Sequence, residues 1–175
     1  MSGENSLVAT ASQTVGPFFS FGLTTNLALG RMAGPDTPGE RIRLEIRVID
    51  GVGAPVPDAL VEAWHPEKDG TFLFGRLQTD PAGVCRFETP YPGQAPDEGE
   101  AAHVNLCVFM RGLLRHLYTR LYFAGDPSLD IDVILAAAPP ERRDTLIAQR
   151  DEAVPSTWRF DIHLQGDRET VYFDL

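Results

Sequence analysis

The sequence predicts an all-β protein, an antiparallel β-sandwich with an extended N-terminal arm and one short helical excursion. Three observations predict it. Residues 41–50, RIRLEIRVID, alternate cleanly: Ile42, Leu44, Ile46 and Val48 fall on one face and Arg43, Glu45 and Arg47 on the other, before an Asp50-Gly51 turn. Period-two alternation closed by a turn signal marks a half-buried strand. Similar short runs follow at ALVEAW, TFLFGRL, VCRFET, HVNLCVFM, RHLYTRLYF, TWRFDIHL and TVYF, separated by Gly, Pro and Asp clusters. About eight short strands with turn signals between them indicate a sandwich. Finally, one stretch alone has convincing helical character.

That stretch is PPERRDTLIAQRDE, residues 139–152. Its prolines lie at the start, Glu141 and Asp144 fall in the early turns where the helix dipole favours acids, and Leu146 and Ile147 supply an apolar contact. Residues 1–40 differ from the rest. They lack periodicity, contain GPFF and GPDTPGE, and crowd Phe18, Phe19 and Phe21 into four positions. Disordered tails are poor in aromatic residues, so this arm either packs along its own domain or reaches into a partner. The chain therefore divides into an arm over 1–40 and a sandwich domain over 41–175. Residues 94–101, QAPDEGEA, read as an exposed acidic loop.

With 175 residues, 43% of them hydrophobic, the chain suffices for one domain with a full core. A formal charge of -10 disfavours nucleic acid and anionic membranes, which require clustered Lys and Arg. No run approaches the roughly 18 apolar residues of a membrane span, and the polar start MSGENSLVAT lacks the pattern of a signal peptide. A cytoplasmic location is expected. Cys85 and Cys107 lack CxxC spacing and sit in strand-like segments, so buried free thiols are expected rather than a zinc site or disulfide. Nucleophile elbows of the GxSxG type and phosphate loops are absent.

Two strands carry candidate chemistry. On HVNLCVFM, His103, Asn105, Cys107 and Phe109 share one face, because residues two apart in a strand project together. A His-x-His pair there would chelate an ion, but Asn105 takes the second position and its amide oxygen is a poor transition-metal ligand. His103, with Tyr91 of the preceding PYP turn, is either the remnant of a metal site or a hydrogen-bonded core residue. On RHLYTRLYF, His116, Tyr118, Arg120 and Tyr122 share a face. A guanidinium between two phenols is either an anion-receiving surface, or part of a solvated outer face or paired with an acidic loop.

Several segments in order, SQTVGPFF, DALVEAWHPEKDGTF, HLYTRLYFAGDP, TLIAQR and WRFDIHLQGDRETVYFDL, together resemble the α subunits of the protocatechuate 3,4-dioxygenases, in the intradiol ring-cleavage dioxygenase family. The resemblance implies O2-dependent cleavage of protocatechuate to 3-carboxy-cis,cis-muconate in aromatic catabolism, within the β-ketoadipate pathway. In that family a homologous β subunit binds Fe(III) through two tyrosines and two histidines. Tyr91, His103 and Asn105 resemble counterparts of three of those ligands, and the fourth falls near Phe72, which has no oxygen to offer. The resemblance thus implies no metal in this chain and αβ protomers gathered in a larger oligomer. It also implies an active site between α and β subunits, to which Thr14, Gly16, Pro17 and Phe18 contribute a substrate-pocket wall and Arg120 a catalytic-site cation. Two other readings stay open: a self-sufficient single-chain dioxygenase, and a non-catalytic β-sandwich scaffold or binding module.

Overall fold

The computed structural model describes residues 8–16, 18–67, 70–93 and 99–174. β1 (Arg41–Ile49) occupies the alternating segment, burying Ile42, Leu44, Ile46 and Val48 and exposing Arg43 and Arg47. Then come β2 (Leu60–Pro66), β3 (Phe72–Gln78), β4 (Val84–Pro90), β5 (His103–Phe109), β6 (Leu117–Phe123), β7 (Ile147–Arg150) and β8 (Thr157–His163). They hydrogen-bond in the order β3-β2-β5-β6-β7-β8-β1-β4. The result is a nearly closed all-β sandwich, with β3-β2-β5-β6 as one layer, β8-β1-β4 as the other, and β7 as the seam between them. Ile42, Leu44, Ile46, Val61, Ala63, Phe87, Val104, Leu106, Leu121, Phe123, Trp158 and Phe160 fill the space between layers.

Three expectations are corrected. The sheet is mixed: β1 pairs with β8 in parallel, as does β6 with β7, while the other pairings are antiparallel. The helix expected over 139–152 is a 3-10 turn, Pro140–Leu146, that runs directly into β7. Its prolines and Glu141 do start a helical turn, but Ile147 and Ala148 pair with Tyr122 and Phe123 and close the seam, which outweighs local helix preference. TVYF is not a strand; among its residues Phe173 makes an isolated bridge to Tyr118. The α-helical pieces lie elsewhere, as α1 (Phe18–Leu23) and α2 (Val133–Ala137). No helix among the described residues is long and apolar enough to cross a membrane.

Glycine is required where the arm meets the sandwich. At Gly75 in β3 an added Cβ would stand 2.8 Å from Leu29 O, Met32 and Phe87. Its absence lets the 3-10 turn Leu27–Gly30 close over the gap between the edge strands β3 and β4, covering edges that would otherwise invite pairing with other chains. Both cysteines are buried and free.

The two outer faces have opposite chemistry. On the β1-β4-β8 layer, Arg47 makes two hydrogen bonds to Asp161 (3.0 and 2.6 Å), Arg86 binds Glu45 at 3.0 Å, and Arg43 and Arg159 extend the lattice. Exposed pairs of this kind add little stability each, but they keep the face hydrated. The β3-β2-β5-β6 layer instead presents Phe72 (65% exposed), Phe74 (39%), Trp64, Phe109 and Tyr118. The candidate site lies on this aromatic face.

Candidate functional site around Arg120

β5 and β6 are antiparallel neighbours in a register that places His103 opposite Tyr122, Asn105 opposite Arg120 and Cys107 opposite Tyr118. The inward sides of both strands bury Val104, Leu106, Val108, Thr119, Leu121 and Phe123, so the polar residues must share the outer face. There the Arg120 Nε donates to Asn105 Oδ1 at 3.0 Å and one terminal nitrogen reaches Glu100 Oε2 at 3.4 Å. Glu100 Oε2 also lies 3.6 Å from His103 Nε2. The Arg120 and Glu100 side chains are only 19% and 21% exposed. In the structure Arg120 is paired with the end of the acidic loop and held in place by Asn105.

That loop end is not the exposed segment expected from the sequence. Residues 94–98 lie outside the described residues, but Glu100 is half-buried and Ala101 fully buried. Asp132, itself buried, accepts hydrogen bonds from Ala101 N (2.8 Å), from Leu135 N (2.7 Å) at the start of α2, and from the Tyr122 hydroxyl (3.0 Å). Asp126 accepts from Ala102 N at 3.2 Å. Glu100 is therefore delivered to Arg120 by a backbone held on its C-terminal side by two carboxylates. Sequence reasoning missed Glu100 and Asp132; the only local signals are an acid three residues before His103 and an Asp opening a short apolar run.

His103 is buried, and its Nδ1 lies 2.9 Å from Ala101 O, which fixes Nδ1 as the protonated nitrogen of the neutral ring. Burial first, and the Arg120 charge second, lower its pKa below 6.5. His65, on the core side of β2, is lowered as well, chiefly by burial, and places Nε2 2.7 Å from Thr89 Oγ1. For a histidine with a depressed native pKa the stabilising difference is complete above the unfolded value and is lost as pH falls through the native one. The melting midpoint is therefore expected to be flat above about pH 6.5 and to drop as pH falls below it. Circular-dichroism melts across that range check this; an unchanged midpoint would contradict it.

Tyr91 follows β4 and stacks on core aromatics, its ring 4.6 Å from Phe123 and 6.2 Å from Trp158. Burial pushes its phenol up to about 12. Phe72 lies at the exposed start of β3. These residues do not fit a ferric ion: Phe72 offers no donor, the neutral Asn105 oxygen is committed to Arg120, and a fixed guanidinium stands beside His103. Among the described residues no group of three or more His, Cys, Asp or Glu is placed to hold a metal.

Ahead of the Leu27–Gly30 turn, two side-chain hydrogen bonds tie the first part of the arm to its own domain. Thr14 Oγ1 accepts from Gly112 N at 2.8 Å in the β5-β6 turn, and Thr24 Oγ1 donates to Gln78 Oε1 at 3.0 Å at the end of β3. Leu60 pairs with both Gln78 and Phe109, so both ties lie at one end of the aromatic layer. Between them α1 holds Phe18 (80% exposed) and Phe21 (68%) with ring centroids 6.0 Å apart. Gly16 faces open space and Pro17 lies outside the described residues. Within one chain the arm and Arg120 do not meet: the tie at Gly112 lies beyond Phe109, itself about 13 Å along β5 from Asn105.

A family model described as Dioxygenase matches residues 14–166. The chain belongs to the intradiol ring-cleavage dioxygenase family. Within that family it is 37% identical to the protocatechuate 3,4-dioxygenase alpha chain of Burkholderia cepacia, over 97% of this chain and 98% of that one. The alpha chain from Pseudomonas putida matches at the same identity and coverage. The beta chain of the Burkholderia cepacia enzyme is 32% identical over 73% of this chain and 66% of its own. Among solved structures, the dioxygenase domain of a dioxygenase carbohydrate-binding protein fusion from Streptomyces sp. SirexAA-E has the same fold. Its TM-score is 0.64, with 22% identity over 81% of this chain and 88% of that one.

Proposed function

We propose that this chain is the α partner in a protocatechuate 3,4-dioxygenase, supplying part of a substrate pocket to an active site shared with a homologous β chain. In this reading the β chain holds the ferric ion and the redox chemistry of ring opening. The overall reaction is O2-dependent intradiol cleavage of protocatechuate to 3-carboxy-cis,cis-muconate. The observation that carries the reading is the fixed Arg120 guanidinium on the His103 and Asn105 face: the donor set is unfit for a metal, while the cation suits a carboxylate. The aromatic layer around it supports a docked partner, since exposed apolar patches rimmed by polar groups mark interaction sites. The Phe18 and Phe21 rings, held outward on a doubly tied arm, suit the same contact. Thr14, Gly16, Pro17 and Phe18 would then wall the pocket from the arm, with Thr14 keeping the arm in place.

Iron content and protocatechuate-dependent oxygen uptake, measured for the chain alone and co-expressed with a β partner, test the reading. Iron and activity are expected only in the co-expressed sample. Stoichiometric iron with activity in the lone chain would show a self-sufficient enzyme. Full activity of the complex after deletion of residues 8–23 would instead favour a scaffold role.

A further inference from the structure

We propose that Asp58 is a positioning residue: through its ion pair with Arg111 it fixes the β5-β6 turn that carries the arm, and so sets where the arm stands as a pocket wall. The proposal rests on the reading of the shared, arm-walled active site given above. Among the described residues Asp58 is the only one other than glycine with a positive φ, 65°. It follows Pro57 in the turn that leads into β2, and a turn of Pro followed by a left-handed residue ordinarily takes Gly or Asn there. Buried Thr79 imposes the conformation. Its hydroxyl accepts from Ala59 N at 3.0 Å and donates to Val56 O at 2.8 Å, while its own amide donates to Ala59 O at 2.8 Å. Glycine would adopt this turn without strain, so the aspartate is explained by its carboxylate and not by its backbone.

That carboxylate meets Arg111. A terminal guanidinium nitrogen lies 2.6 Å from Asp58 Oδ2, with the two side chains 59% and 33% exposed. An ion pair so open to water adds little to folding stability, which leaves geometry as its use. The β2-β5 ladder ends at Leu60 and Phe109, so the pair braces the turn beyond it against the start of β2. Arg111 directly precedes Gly112, whose amide donates to Thr14 Oγ1 at 2.8 Å. On the other side the Asp58 amide meets Thr79 O at 3.4 Å, and Thr79 directly follows Gln78, whose Oε1 accepts from Thr24 Oγ1 at 3.0 Å. One path of contacts therefore joins the two arm ties, and Asp58 stands in the middle of it.

The test compares Asp58→Asn, Asp58→Gly and Asp161→Asn by amide hydrogen exchange in the full chain, and by KM and kcat for protocatechuate in the αβ complex. Asparagine keeps the tolerance for positive φ and removes the charge; glycine removes the strain as well. Both Asp58 variants are expected to speed exchange at Gly112, the donor to Thr14, about three- to fivefold and to raise KM by a similar factor, with kcat and the melting midpoint near wild type. Asp161→Asn breaks a pair of the same length, 2.6 Å, on the opposite face and should change neither. Wild-type exchange at Gly112 in Asp58→Gly would show that Asp58 serves its own turn alone and would overturn the proposal, as would an equal effect of Asp161→Asn. Faster exchange with an unchanged KM would instead leave the brace standing and remove the arm from the pocket, so the reading of the shared site would fall separately.

Discussion

Asp132→Ala is expected to cost about 3 kcal/mol or more of folding stability, more than any single surface ion pair can. The carboxylate is fully buried and accepts from three donors: Ala101 N, Leu135 N and the Tyr122 hydroxyl. Alanine would leave all three buried and unpaired, at about 1–3 kcal/mol for each orphaned group less whatever water recovers. Against a typical total of about 5–15 kcal/mol, that is a large fraction. Tyr122→Phe, which removes one donor together with its hydrogen bond, is expected to cost only about 1 kcal/mol. Urea denaturation of the three proteins gives both values. A loss below about 1 kcal/mol for Asp132→Ala would show that the three donors find other partners. The same substitution should speed amide exchange at Ala101, which ties this buried acid to the placement of Glu100.

The fold was legible in the sequence where one face of a strand is hydrated and the other is not. β1 is the clear case, because Arg43, Glu45 and Arg47 alternate with four buried aliphatics. β7 was illegible for the converse reason: its four residues follow a true 3-10 turn, and nothing local shows that Ile147 and Ala148 must pair with β6 while Gln149 and Arg150 pair with β8. TVYF had the composition of a strand but lacks a run of neighbours to pair with, since only Phe173 finds a bridge. The parallel pairing of β1 with β8 is set by the closure of the sandwich, which no local pattern encodes. In the site, period two correctly put Arg120 and Asn105 on exposed-side positions of their own strands. That they bond to each other depends on the register across the β5-β6 turn. Glu100 was hidden because an acid in a Gly- and Pro-rich loop looks solvated until the backbone beside it is seen to be tied down.

Arg120→Ala in the αβ complex is expected to abolish the preference for protocatechuate over catechol, lowering kcat/KM for protocatechuate by a factor of at least about thirty. Truncating one partner of a buried, hydrogen-bonded charge pair commonly costs about 2–5 kcal/mol, and each 1.4 kcal/mol is about tenfold in kcat/KM. The loss has two parts: the substrate carboxylate loses its receptor, and Glu100, left without its guanidinium, remains 3.6 Å from His103 as an uncompensated negative charge beside the pocket. Arg120→Lys should recover only part of the activity, since an ammonium supplies charge but not the Nε fork that Asn105 orients. Combining Arg120→Ala with Glu100→Gln separates the parts, because removing the stranded carboxylate should return some of the lost affinity without restoring the receptor. Recovery in the double variant, with catechol turnover nearly constant throughout, is the signature of charge recognition at this site. A parallel loss for catechol and protocatechuate would instead make Arg120 a strut of the pocket wall, held by Asn105 for shape rather than for the anion.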